Sequence, residues 1–178
     1  MDFRNERASR LLLIVGLVVA AALSRLIPHP PNFSPIEATA LFAGAVFLDR
    51  RLALLVPIAA MLLSDFFLGF HGGMPVVYGC IALIAWFGRG LATKRSPLRI
   101  AAYGFAGAVF FFVATNLFVW LGSGMYPLSA AGLVACFTLA LPFFANQLAG
   151  VAFYSVVLFG ALALLEMGSE TSLTPPVR

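Results

Sequence analysis

Charge is scarce in this chain. Eleven Lys or Arg and seven Asp or Glu make up only 10% of 178 residues. A water-soluble domain of this length carries a far larger charged surface, so that class is excluded. Cysteine is equally scarce. Cys80 and Cys136 are the only two, which rules out a disulfide framework, and no CxxC or Cys/His zinc spacing occurs. No GxxxxGK[ST] segment is present, so ATP hydrolysis through a P-loop is excluded. The few basic residues sit in short turns, which is not the pattern of a nucleic-acid surface.

What fills the chain is apolar residues. They make up 62% of it, and the mean hydropathy is +1.01. Several apolar runs approach the ~20 residues that span a bilayer. The reading is one polytopic membrane domain over residues 1–178, with the lipid bilayer as its main surroundings. The start, MDFRNERASR followed by LLLIVGLVVAAALS, has the basic, apolar and Ala-rich parts of a signal peptide. We expect it instead to be a retained first membrane helix, over about Leu11–Ile27.

Further helices are expected at Ile36–Leu48, Leu52–Phe70, from the loop after Phe70 to Leu91, and at Leu98–Leu121. The stretch Ala130–Glu166 is too long for one span. Pro142 suits a first helical turn, so Ala130–Leu141 is expected as a short outer surface helix and Pro142–Leu165 as the sixth span. Seven spans is the alternative. About ten N-terminal residues lie outside the lipid, and a flexible tail is expected over about 167–178.

Arginine and lysine set the orientation. Arg4, Arg7 and Arg10 precede the first helix, and Arg50 and Arg51 follow the second. Arg89, Lys94, Arg95 and Arg99 surround the turn after the fourth, while the other three loops have none. Positive-inside asymmetry places both termini in the cytoplasm. Pro28–Pro35, His71–Tyr78 and Gly122–Ser129 then face outward.

Charged groups at mid-membrane cost about 2.5–3.5 kcal/mol on insertion scales, so their depth is informative. Arg25, Glu37, Asp65, Cys80, Asn116, Trp120, Asn146 and Gln147 all fall in the outer half. Arg25 has two candidate partners, Glu37 and Asp65. The outer loops add His29, Asn32, His71, Tyr78 and Tyr126, and together the set outlines an outward-facing cup for a large, partly polar ligand. His29, His71 and Cys80 are too few for a zinc site. A metal already held in a macrocycle needs only one or two axial donors, and a thiolate or an imidazole suffices. Cys136, in ACFTLAL, reads as a small core residue. Gly16, Ala20 and Ser24 form a small-residue stripe that packs within the chain or docks a separate subunit.

The segments PPNFSPIEATALFAGAVF, SDFFLGFHGGMPVVYGC and TNLFVWLGSGMYPLSAAGLVACFTLALPFFANQLAG resemble the BtuM-type cobalamin-specific S components of ECF-type vitamin transporters. The likeness runs over about Leu11–Leu165. It implies an all-α, six-span, S-component-like fold in the bacterial inner membrane. It also implies capture of cobalamin from outside, with Cys80 against cobalt, and Gly16, Ala20 and Ser24 as the docking stripe for a T component that works with ATPases. A thiolate is a strong donor and should loosen whatever sits on the opposite face of cobalt, so loss of cyanide from cyanocobalamin is an expected side activity. Alternatives are another vitamin, a bare cobalt or nickel ion, or a membrane thiol enzyme with His71 or His29 as base to Cys80.

Overall fold

The structure is a computed structural model that describes the backbone of residues 3–171 and the side chains of residues 12–167. Among the described residues, six α-helices follow in order: α1 (Phe3–Leu26), α2 (Ile36–Val46), α3 (Arg50–Leu68), α4 (Met74–Gly88), α5 (Pro97–Gly122) and α6 (Ala130–Thr171). A single 3₁₀ turn, Arg89–Leu91, follows α4. Among the described residues, four segments are long and apolar enough to cross a membrane: Arg50–Leu68, Met74–Leu91, Pro97–Gly122 and Ala130–Met167. The apolar part of α1, Leu12–Leu26, and α2 are shorter.

The short helix α2 is the axis of the bundle. Its sequence, IEATALFAGAV, is apolar on every face except at Glu37 and Thr39, as suits a helix enclosed all round. Ala38 through Ala45 are all buried. Helices α3, α4, α5 and α6 each pack on α2 and on one another in succession, while α1 rests mainly on α3. The α2–α4 contact is close because it is made through glycines. A Cβ on Gly44 would collide with the Ala85 carbonyl, and one on Gly88 with the Leu41 carbonyl. Two backbones can approach so far only where side chains are missing.

Several expected boundaries shift. The separate surface helix over Ala130–Leu141 does not form, because α6 runs unbroken from Ala130 past Pro142 to Thr171. Proline removes one amide donor, but in a long apolar helix the alternative is to expose a whole broken turn to lipid, which costs more. Pro57 is carried inside α3 in the same way. Residues 167–171, expected as tail, continue α6, and the expected flexibility of 172–178 lies outside the described residues. Helix α1 starts at Phe3 rather than Leu11, and α2 stops at Val46.

Candidate ligand-binding cavity

A cavity of about 560 Å³ lies at one end of the bundle. Every helix contributes to it: the last turn of α1, the first turn of α2, the second half of α3 and of α5, the first half of α4, and the middle of α6. Two loops complete the wall, Ile27–Pro35 and Gly69–Gly73. Of the residues singled out from sequence, His29, Asn32, Glu37, His71, Asn116 and Gln147 line it. Arg25 lines it as well.

The first loop is fixed by its rear surface. Asn32 has a positive φ of 64°, a conformation that asparagine tolerates better than most residues. The turn it makes closes with the Phe33 amide donating to the Pro30 carbonyl at 3.0 Å. Phe33 then sets its ring against Phe153 and Tyr154 of α6, with centroids 5.9 and 5.7 Å apart. The Asn146 amide donates to the Pro31 carbonyl at 3.1 Å. A Cβ on Gly150 would lie 3.0 Å from the Ser34 nitrogen, so glycine is what lets the loop settle on α6. His29 and Asn32 are thereby turned to the cavity by contacts on the opposite side. Asn146, expected at the ligand, serves this anchoring instead.

Arg25 chooses Asp65. Its Nη1 donates to Asp65 Oδ1 at 2.7 Å and also to the Ser64 hydroxyl. Tyr78 Oη donates to Asp65 Oδ2 at 2.8 Å, so both carboxylate oxygens are occupied. A buried carboxylate is tolerable only with such partners. Asp65 and Tyr78 therefore stand behind the cavity wall and do not line it.

Glu37 meets a different partner. Gln147 Nε2 donates to Glu37 Oε1 at 2.9 Å and to the Ala108 carbonyl at 3.1 Å. The second carboxylate oxygen, Oε2, is buried and has no hydrogen-bond partner among the described residues. Asn116 spends one amide hydrogen on the Phe112 carbonyl, 2.8 Å away. The apolar part of the wall includes Phe111, Phe112 and Phe143, and Phe112 is itself packed against Phe137 and Phe144.

Cys80 is 3% exposed and is not among the lining residues. On α4 the cavity is met by Val77 and Ile81, one turn apart. At about 100° per residue, Cys80 and Tyr78 flank that strip by about 80° on either side. The thiol is buried to one side of that strip and not on it. No histidine is bonded to it among the described residues, and no three His, Cys, Asp or Glu side chains there converge as a metal site. Cys136 is a buried residue whose thiol donates to the Asn116 carbonyl at 3.5 Å.

Trp120 and Tyr126 also stand outside the cavity. Trp120 Nε1 closes the α5–α6 loop on the Pro127 carbonyl at 3.0 Å. Sequence reasoning missed Ser34, Met61 and Thr115 as lining residues, since none is charged and each is ordinary in its loop or helix. On α1, the Gly16–Ala20–Ser24 stripe is largely exposed, and nothing lies within 4 Å of a Cβ placed on Gly16. The face that α1 buries carries Ala21 and Ala22 instead, so the stripe does not pack within the chain.

Neither a curated protein nor a solved structure matches the chain. Residues 5–173 match the family described as DUF6580, a family of unknown function, and the chain belongs to that family.

Proposed function

We propose that this is a six-span transport protein of the bacterial inner membrane, with both termini cytoplasmic, that captures cobalamin from the outer side. The observation that carries the reading is the convergence on one cavity of His29, Asn32, His71, Glu37, Asn116 and Gln147. They come from two loops and three helices, at the end of the bundle opposite the arginine-rich turns. Polar tips set in an aromatic and aliphatic wall suit a large ligand with an apolar ring and amide side chains.

Cobalt ligation by Cys80 belongs to this reading and makes a specific demand. The thiol must turn from its buried place into the Val77–Ile81 strip, and a χ1 change on α4 is the movement that achieves it. A corrinoid is also larger than a cavity of about 560 Å³, so this reading asks a loop to move outward to admit it. The Gly69–Gly73 loop is the better candidate, because the loop ahead of α2 is held to α6 by Phe33 and Asn146. The exposed Gly16–Ala20–Ser24 stripe is available to a membrane partner, a T component acting with ATPases in the ECF scheme.

The test is a visible spectrum of the purified protein incubated with cyanocobalamin and freed of excess by gel filtration. Retained corrinoid absorbance is expected. A colourless protein after that treatment overturns the reading.

A further inference from the structure

The polar end of the cavity is built from acceptors. Gln147 is 2% exposed, and its amide nitrogen is committed to two protein oxygens, Glu37 Oε1 and the Ala108 carbonyl. A primary amide has two N–H donors, so none is left for a ligand. Only its Oε1 remains, an acceptor. Glu37 supplies two further acceptor oxygens, of which Gln147 satisfies one and none of the described residues satisfies the other. Oε2 is buried as the site stands, so the carboxyl group must turn about its soft terminal torsion to present an oxygen to a ligand.

An unmet carboxylate oxygen away from water is costly, and a ligand donor removes that cost. We infer that Glu37 and Gln147 form a subsite that reads a primary carboxamide of the ligand through its N–H groups and rejects a carboxylate in its place. One amide N–H goes to Glu37 and the other to Gln147 Oε1. A carboxylate there brings no donor for Gln147 Oε1 or for the unmet Glu37 oxygen. Arg25 also lines the cavity, but its charge is already met by Asp65. This inference rests on the corrinoid reading and names which of its side-chain chemistries the site selects.

Two probes separate the two levels: cobinamide, whose corrin side chains are amides, and cobyrinic acid, whose side chains are carboxylates. Affinities are measured by titration of the visible spectrum for the wild type and for Glu37→Gln. The wild type should bind cobinamide about 10- to 100-fold tighter than cobyrinic acid, the range of one charge-assisted hydrogen bond. In Glu37→Gln the side chain gains its own N–H₂ and can donate to an acid, so the two affinities should approach parity. Equal affinities in the wild type overturn the subsite while leaving the corrinoid reading intact, and this arm needs no variant to fold. An unchanged preference in Glu37→Gln, eluting as the wild type does, overturns it too. Binding of neither probe by the wild type overturns the corrinoid reading and the subsite with it.

Discussion

Arg25 and Asp65 form an ion pair 2.7 Å long between α1 and α3, 40 positions apart in the chain. Helix α1 has little other attachment to the bundle beyond its apolar contact with α3. The pair therefore fixes the end of α1 that borders the cavity. Removing one partner leaves the other charge without its counter-ion, Asp65 with only Tyr78 and Arg25 with only Ser64 and the Met61 carbonyl. Asp65→Ala should cost on the order of 3 kcal/mol, whereas the double change Arg25→Met with Asp65→Leu should lie much nearer the wild type. Thermal unfolding in detergent measures both. Equal losses in the single and double variants would show that the charges are not coupled.

Replacing Cys80 with Ala probes the thiol without disturbing the cavity wall, since Val77 and Ile81 form that strip. Bound cobalamin should lose the spectral signature of a sulfur ligand, and cyanide should stay on cyanocobalamin. An identical spectrum in the variant and the wild type would show that sulfur never reaches cobalt.

Glycine positions divide sharply by surroundings. Gly44→Ala drives a methyl group into the Ala85 carbonyl at the α2–α4 contact. Overpacking of this kind costs about 1–3 kcal/mol. Gly16→Ala meets open space, and the helix preference of alanine should make it neutral or up to about 1 kcal/mol stabilising. Melting temperatures of the two variants, compared with the wild type, should move in opposite directions or separate by several degrees.

A bulky residue on the exposed stripe tests what the stripe is for. Ala20→Trp should leave corrinoid binding by purified protein unchanged, because Ala20 faces away from the bundle. Uptake by cells that depend on the protein should fall. Equal loss of binding and uptake would point to folding, and full uptake would remove the stripe from the transport scheme.

Glu37→Gln carries a second expectation apart from ligand selection. Exchanging an unmet carboxylate oxygen for a neutral amide lowers the desolvation cost in the empty protein. The empty variant should melt at or above the wild type. A clear fall would mean that Glu37 has a donor in the membrane after all.

The helical class and the apolar segments were legible because hydropathy over about 20 residues is a property of composition, which packing does not alter. The cup was legible in outline because polar residues in lipid are costly and so mark a shared depth. Glu37, Asn116 and Gln147 were found this way, and His29, Asn32 and His71 from the loops that border the same end. Depth alone does not give direction around a helix. That is why Cys80, Tyr78 and Asn146, at the right level, turned out to face neighbouring elements rather than the cavity.

By itself the sequence determined an all-helical chain with long apolar helices and a polar set gathered at one end. Tertiary structure decided the partners. Arg25 had two acids within reach along the chain, and the packing of α1 on α3 gave it Asp65. Glu37 was thereby left to Gln147, 110 positions away, with one oxygen unmet. It also decided the fate of Pro142, where a local helix-starting preference yielded to the cost of breaking a backbone ladder among apolar neighbours. Such choices depend on which surfaces meet, and no short window of sequence contains that information.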